Sequence, residues 1–282
     1  MGGTNMFGIK TAAKNAVKAL RAKEILPVQK IVDSDRALEG KVAFIAGGSG
    51  GIGMAIAGAL LDSGAKVVLG GTRAEKLEAC RQKLGHTEDV ACVVMDASDA
   101  DAAVDVVAEA KAAFGRVDIF VESSGVHTDG VDFWTMTPDE YDRVMSVNLR
   151  GAFFISRAVA REMIDSGTRG HILFVNSSRG FEPAWSPYGL SKWGLKGLTQ
   201  GLAKTLLPRG IVVNGIAPGS TATPLIGVKE GDAITSGENG VGRLATPTEI
   251  AEWAKMLVGP SGDMVVGETI LVSGGRGGIE IR

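Results

Sequence analysis

Cysteine and histidine are scarce in this chain of 282 residues, which contains two cysteines and three histidines. Two cysteines cannot build the dense disulfide framework of a small secreted protein, and no group of Cys and His residues has the spacing of zinc ligands. We therefore interpret Cys80 and Cys92 as packing residues in a reduced setting, and we expect no metal site.

The chain also lacks an excess of charge and a long apolar run. Its 30 basic and 32 acidic residues give a net charge of −2, so no general basic face would attract a nucleic acid. No segment approaches the roughly 20 consecutive apolar residues of a bilayer-spanning helix. With 45% hydrophobic and 22% charged residues, the composition predicts a soluble, cytoplasmic globular protein whose partner is a small molecule.

Residues 1–39 differ in pattern from the rest and are interpreted as a basic amphipathic arm and connector, followed by one domain over residues 40–282. Basic and apolar residues alternate there at helical spacing, and no acidic residue precedes Glu24. The arm could lie on a membrane surface, but its apolar face is mostly alanine. Packing on the body or on a neighbouring subunit is the favoured interpretation.

Beyond the arm, short apolar runs alternate with longer segments of helical periodicity. Consecutive apolar residues are typical of strands that are covered on both faces, so the pattern predicts an α/β fold with a doubly wound parallel sheet of the Rossmann type. The predicted strands are Val42–Ile45, Val67–Leu69, Ala91–Val94, Ile119–Val121, Ile172–Val175, Ile211–Val213 and Thr269–Val272. The predicted helices are Ile52–Ser63, Ala74–Leu84, Ala100–Phe114, Pro138–Ser166, Pro187–Leu207 and Pro247–Leu257.

A glycine-rich turn joins the first strand to the first helix. Glycines in such a turn permit a close backbone approach and leave the helix amino end free to hold a pyrophosphate. Glycine clusters arise easily in a chain with 40 glycines, but this one lies in the strand–turn–helix context that the mechanism requires. The predicted cofactor contacts here are Gly47, Ser49, Gly51, Ile52 and Gly53.

The end of the second strand indicates which cofactor is bound. An acidic residue at this place usually hydrogen-bonds a free ribose 2′-hydroxyl. This chain instead has Thr72 and Arg73, with no carboxylate before Glu75. The pattern favours NADP(H) over NAD(H), although Arg73 could equally be a solvated surface residue. After the third strand, Asp96 with Ala97 could contact the adenine, or Asp96 could cap the next helix.

The spacing of Tyr188 and Lys192 indicates a proton-transfer site. Residues four apart on a helix share one face, so the ammonium can stabilise a phenolate and make the tyrosine a proton donor near neutral pH. A carbonyl that accepts a hydride develops negative charge on its oxygen and needs such a donor.

Five motifs follow one another in an order that resembles the short-chain dehydrogenase/reductase family. They are Gly47-x-x-x-Gly51-x-Gly53, Asn148, Ser177, Tyr188-x-x-x-Lys192 and Pro218-Gly219. The resemblance covers about residues 38–275, and its joint specificity is high because the motifs occur together and in order.

The resemblance implies a secondary alcohol/ketone oxidoreductase with Tyr188 as acid and base. It implies that Lys192 binds the nicotinamide ribose, that Asn148 holds a water linking the lysine to solvent, and that Ser177 hydrogen-bonds the substrate oxygen. Ser178 is the less favoured alternative to Ser177. Tyr188, Gly125, Pro218, Gly219, Thr221 and Thr223 complete the implied cofactor contacts.

The chain departs from the family pattern at three places. The glycine turn begins with Ala46 where threonine is usual, and the stretch from Ser177 to Tyr188 is shorter than usual. After the fourth strand, Glu122-Ser123-Ser124-Gly125 stands where the family commonly has Asn-Asn-Ala-Gly. The charge of Glu122 must find a partner or solvent.

The substrate is left open between a 3-oxoacyl thioester, a polyol and a ring ketone. Phe181 and Trp185, between the serine and the tyrosine, are predicted to contact it, and residues 220–242 are predicted to form a mobile lid. The competing hypothesis is a non-catalytic nucleotide-binding sensor or scaffold. A homo-oligomer, a dimer or tetramer, is expected from the family and from helices with small and apolar residues on several faces, and a homotetramer is the predicted state.

Overall fold

The computed structural model describes residues 36–229 and 231–279, so the predicted N-terminal arm lies almost entirely outside the described residues. Seven strands and seven α-helices follow one another along this part of the chain, with two helices between the fourth and fifth strands. They are β1 (Val42–Ala46), α1 (Gly51–Asp62), β2 (Lys66–Gly71), α2 (Ala74–Leu84), β3 (Val90–Val94), α3 (Ala103–Phe114), β4 (Ile119–Glu122), α4 (Pro138–Met145), α5 (Ala152–Asp165), β5 (His171–Val175), α6 (Pro187–Leu206), β6 (Val212–Pro218), α7 (Pro247–Val258) and β7 (Thr269–Val272).

The strands form one parallel sheet in the order β3-β2-β1-β4-β5-β6-β7. The strand order reverses between β1 and β4. From β1 the chain adds β2 and β3 toward one edge of the sheet, and from β4 it adds β5, β6 and β7 toward the other edge. The predicted doubly wound, Rossmann-like fold is confirmed. In such a sheet the crevice beyond the carboxyl ends of the strands at this reversal is where a ligand binds.

Two apolar cores cover the two faces of the sheet. Residues of α3, α5 and α6 pack on one face around Phe44, Phe120 and Phe174. Residues of α1, α2 and α7 pack on the other face around Ile45 and Leu173. Because both faces are covered, the strands read as continuous apolar runs in the sequence.

The predicted helix over Pro138–Ser166 is wrong in one respect, because a π-helical segment, Ser146–Gly151, interrupts it between α4 and α5. At its end the backbone of Gly151 packs directly on Ala97: a Cβ on Gly151 would lie 1.9 Å from the Ala97 carbonyl oxygen. The segment carries Asn148, which is 1% exposed. π-Helical turns inside α-helices often occur at functional sites.

No helix in the described part of the chain is long and apolar enough to cross a membrane. In the same residues, no three His, Cys, Asp or Glu side chains converge to hold a metal ion. Cys80 is buried, Cys92 is half-buried, and both are free thiols.

The contact between Gly151 and Ala97 gives a stability prediction. Gly151→Ala should destabilise the protein by about 3 kcal/mol, because the added methyl group can be placed only by moving backbone. The measurement is the thermal unfolding midpoint, which should fall by several degrees. Gly58→Ala in α1 is the matched control, since its Cβ would meet nothing closer than Leu84 Cδ2 at 3.6 Å. Equal midpoints for the two variants would contradict the prediction.

Candidate active site

Four of the predicted site side chains converge beyond the carboxyl ends of the central strands. Ser177 follows β5, and Tyr188 and Lys192 lie on the first turns of α6, which begins at Pro187 after the cap Ser186. Asn148 reaches the same place from the π-helical segment. The motif residues that are separated in the sequence therefore lie close together in the structure.

Lys192 is buried, with 4% of its surface exposed. Its Nζ donates a hydrogen bond of 3.0 Å to the carbonyl oxygen of Val175, the last residue of β5. The same Nζ lies 5.7 Å from the centroid of the Tyr188 ring. Burial lowers the pKa of Lys192 to about 8, and the negative charge of Glu122 opposes that shift.

The Tyr188 phenol is also in a desolvated position. Burial raises its pKa above the ordinary value, while a hydrogen bond with Ser177 and the positive charges of Arg179 and Arg276 oppose the rise. From the sequence we expect Lys192 to lower this pKa in the presence of an oxidised nicotinamide. In the protein alone, desolvation of the phenol is the larger effect.

Asn148 is fixed by the backbone of Val126 on the loop after β4. Its Oδ1 accepts from Val126 N at 2.8 Å, and its Nδ2 donates to Val126 O at 3.0 Å and to Ser191 Oγ at 3.2 Å. Gly125 lies beside it: a Cβ there would be 3.6 Å from Asn148 Oδ1 and 3.8 Å from Lys192 Nζ. A side chain at this position would fill the space between the asparagine and the lysine.

The two serines differ in their surroundings, although both line the same cavity. Ser177 acts to lower the pKa of the Tyr188 phenol, and its Oγ accepts from Arg179 N at 3.2 Å. Ser178 begins a short 3-10 turn, Ser178–Gly180, and is 2% exposed.

His127 is a site residue to which the sequence gives little weight. Its ring stacks on that of Tyr188 with centroids 4.2 Å apart and an angle of 20°. Burial and the charge of Lys192 lower its pKa, so the imidazole is uncharged at neutral pH. The neighbouring Thr128 Oγ1 accepts a hydrogen bond of 3.3 Å from Tyr188 N. A lone histidine in a loop carries no signal that could have predicted the stacking.

The glycine turn has the close contacts that the sequence predicts. Gly47 has φ +75°, and a Cβ on it would lie 2.7 Å from the backbone of Ser123 and Ser124. A Cβ on Gly53 would lie 2.4 Å from Gly47 O. The amino end of α1 follows Gly50, no side chain caps it, and its first turn has no acidic residue. Such an end can accept an anion.

The other predicted cofactor residues lie on both sides of this turn. Thr223 packs against it, since a Cβ on Gly51 would be 2.7 Å from Thr223 Cγ2, and Ser49 Oγ would be 3.3 Å from a Cβ on Gly71. Arg73 and Thr72 are exposed at the end of β2. Asp96 Oδ1 accepts from Ser98 N at 2.8 Å and Ser98 Oγ at 2.7 Å, which closes a local turn. Asp96 does not cap the next helix, because α3 begins at Ala103 and has no side-chain cap.

A cavity of about 410 Å³ connects the start of α1 with Tyr188. Trp185, Pro183, Val131, Leu225 and Ile226 give it apolar walls. Phe181, predicted to contact the substrate, is not among its lining residues. Its ring lies under the Lys196 ammonium, 3.7 Å from ring centroid to Nζ, because the tight turn after Ser177 directs this position toward α6. The predicted contacts that line the cavity are Ile52, Ser177, Trp185, Tyr188, Pro218, Gly219, Thr221 and Thr223.

An ionic network joins three segments at the rim of this cavity. Arg276, beyond β7, donates from Nε to Glu182 Oε1 at 2.8 Å and from Nη1 to Glu238 Oε2 at 2.6 Å. Glu182 also pairs with Arg179, and Ser220 donates to Glu238. The predicted lid is thereby tied to the segment between Ser177 and Tyr188. Only the fold brings Arg276 here, 94 positions from Glu182 in the sequence.

This fold and the group of residues beyond its strands define a nicotinamide-dependent oxidoreductase of the Rossmann type. A family model described as short chain dehydrogenase matches residues 41–232. The acetoacetyl-CoA reductase of Acinetobacter sp. (strain RA3849) is 34% identical over 244 residues, which is 84% of this chain and 98% of the relative. The chain therefore belongs to the short-chain dehydrogenase/reductase family.

Solved structures agree with this membership. The 3-ketoacyl-(acyl-carrier-protein) reductase from Brucella melitensis, complexed with NADH, has a TM-score of 0.77 and 30% identity over 85% of this chain and 99% of its own. A variant of the actinorhodin polyketide ketoreductase with NADPH has a TM-score of 0.77 and 27% identity, covering 85% and 98%. The protein is an NAD(P)-dependent enzyme that acts on CH–OH or C=O groups.

Proposed function

We propose that the protein interconverts a ketone and a secondary alcohol in the 410 Å³ cavity, with Tyr188 as the proton donor in reduction and the acceptor in oxidation. The observation that carries the proposal is that Tyr188 and Ser177 line a cavity that also reaches the uncapped amino end of α1, with the buried Lys192 one turn beyond Tyr188 on α6. This grouping supports a site in which a proton donor, an oxyanion donor and a dinucleotide act together.

Tyr188, Ser177, Lys192 and Asn148 have different roles in the proposed reaction. The cofactor, when bound, supplies or accepts the hydride. Because burial raises the Tyr188 pKa, the phenol is protonated at neutral pH and can give its proton to the carbonyl oxygen. Ser177 Oγ donates a hydrogen bond to the same oxygen as its charge develops. The Lys192 ammonium then stabilises the phenolate that is left, and Asn148 holds the loop after β4 in place.

The residues around the glycine turn fit NADP(H) better than NAD(H). The adenosine end of the site would lie beside Ser49, Thr72 and Arg73, and the exposed Arg73 side chain forms no hydrogen bond with any other described residue. A guanidinium in this place can pair with a 2′-phosphate. Asp96, the nearest carboxylate after β3, is engaged by Ser98.

The apolar walls of the cavity favour a substrate with an apolar body beside the reacting carbon. A 3-oxoacyl thioester fits this description, and the acetoacetyl-CoA reductase is similar to this chain over most of its length. The direct test is a spectrophotometric assay of NADPH oxidation with 3-oxoacyl thioesters, polyol-derived ketones and ring ketones as substrates. Turnover of the polyol-derived ketones alone would contradict the preference for an apolar body.

Tyr188→Phe should greatly reduce turnover while the protein still binds the cofactor. Positioned proton transfer contributes about 10²- to 10⁴-fold to rate, so kcat should fall by about a thousandfold or more. Tyr141→Phe is the matched control, since Tyr141 is the only other tyrosine of the chain and lies on α4. Retained turnover in Tyr188→Phe would overturn the assignment.

Ser177→Ala and Ser178→Ala distinguish the two adjacent serines. Loss of an oxyanion donor costs about 10²- to 10³-fold in kcat. We expect that loss for Ser177→Ala because Ser177 is the serine whose hydroxyl acts on the Tyr188 phenol. Ser178→Ala should retain kcat within a few-fold. Steady-state kinetics on the same ketone check this, and the reverse order would move the role to Ser178.

Arg73→Ala should weaken NADPH binding about tenfold or more and leave NADH binding unchanged. A charge-assisted hydrogen bond contributes about 1.5–3 kcal/mol, and each 1.4 kcal/mol is a factor of about ten in Kd. Fluorescence titration of the two cofactors measures both constants. Lys76→Ala, an exposed cation on α2, is the control. Equal weakening of both cofactors would show that Arg73 does not read the phosphate.

A further inference from the structure

Glu122 is a buried carboxylate that the proposed reaction leaves unused. It is the last residue of β4, paired in register with Ala46 of β1 and Phe174 of β5, and it is 2% exposed. Its Oε1 accepts a hydrogen bond of 2.8 Å from Ser124 N. Its Oε2 is buried and has no hydrogen-bond partner among the described residues. An ionised carboxylate in this position requires a compensating charge.

The positive charge that acts on Glu122 is the Lys192 ammonium at the end of the adjacent strand, and the two groups are not in direct ion-pair contact. Glu122 closes β4, and Lys192 Nζ is bonded to the last carbonyl of β5. The Ser124 amide that binds Glu122 immediately precedes Gly125, whose Cβ position is 3.8 Å from Lys192 Nζ. Among the described residues, Glu122 is the carboxylate whose charge raises the pKa of the Lys192 ammonium. In a desolvated region charges act on one another beyond contact distance, so removal of one of these groups changes the protonation of the other.

We propose that Glu122 is a positioning residue for the proposed reaction: its buried carboxylate keeps Lys192 in the ammonium form that stabilises the Tyr188 phenolate. Glu122 acts through Lys192 and need not touch the substrate. Glu122 stands where the family commonly has asparagine. In this chain the charge of Lys192 thus depends on a second titrating group. This inference rests on the proposed function only for its kinetic consequence.

The protonation of the two groups supports this coupling. Burial raises the pKa of Glu122 to about 7, opposed by the hydrogen bonds from Ser124 and by Lys192. Burial lowers the pKa of Lys192 to about 8, opposed by Glu122. The carboxylate and the ammonium therefore coexist between these values. Below this range Glu122 gains a proton, and above it Lys192 loses one. Because the charge of Glu122 raises the pKa of Lys192, removal of the carboxylate should lower that pKa.

Other charged and titratable groups face this pair from the surrounding elements. Tyr188 lies one turn earlier on α6, and His127 stacks on it from the loop after β4. Arg179, after β5, and Arg276, after β7, act on Tyr188, and Asp129 acts on His127. None of these is a carboxylate directed at Lys192.

Glu122→Gln is the informative variant because it removes the charge but keeps an oxygen to accept from Ser124 N. The cofactor-free protein, labelled with ¹³C at the lysine Cε, is titrated by NMR, and the Lys192 signal is assigned by its loss in Lys192→Arg. We expect the Lys192 pKa to fall by about one unit or more. Glu162→Gln, which breaks the ion pair with Lys111 on α3, is the control and should leave it unchanged. An unchanged Lys192 pKa in folded Glu122→Gln would overturn the proposal.

The unaltered protein provides a second measurement if Glu122→Gln does not fold. Groups that interact by about one unit or more titrate together, so the Lys192 signal should show a further inflection at the pH at which a ¹³C-labelled Glu122 carboxyl titrates. A single inflection would contradict the coupling.

Kinetics separate this proposal from the proposed function. In ketone reduction, the alkaline fall of kcat/KM should move to lower pH by about one unit in Glu122→Gln, because Lys192 then loses its proton earlier. If no ketone is turned over by the unaltered protein, the proposed function fails while the NMR titration still decides the role of Glu122. An alkaline limb that does not move, with turnover present, would contradict the effect of Glu122 on Lys192.

Discussion

The burial of one ammonium group, that of Lys192, is the constraint on which the site depends. A buried cation must be hydrogen-bonded and compensated, and here the carbonyl of Val175 and the charge of Glu122 do so. The helix α6 that carries Lys192 must then cross the end of β5 closely. Tyr188, one turn earlier on that helix, is thereby held beside Ser177.

Close backbone contacts at glycine residues allow the segments of the site to approach one another. The loops after β1 and β4 approach so closely at Gly47 that no side chain fits between them, and the π-helical segment presses Gly151 onto Ala97. Interiors packed at this density transmit position from one segment to the next. The site is therefore held by a scaffold of strand ends and close-packed turns, while the lid is held to it by the ion pairs of Arg276.

The fold was predictable because its signals are local. Strands covered on both faces are apolar at consecutive positions, and the strand–turn–helix context of Gly47 to Gly53 identifies a dinucleotide site without knowledge of the neighbours. The unbroken helix over Pro138–Ser166 was wrong, since the π-helical turn is imposed by contacts with Ala97 and Val126 that are distant in sequence. The oligomeric state and the N-terminal arm stay predictions.

The sequence by itself determined the class of reaction, because a phenol and an ammonium four residues apart on a helix share one face wherever the helix lies. Tertiary structure alone decided the surroundings of that pair. Glu122 became the counter-charge of Lys192, His127 the ring stacked on Tyr188, and Arg276 a rim residue of the cavity. The physical reason is that desolvation and charge act through space, so the pKa values of these groups depend on neighbours that no local pattern specifies.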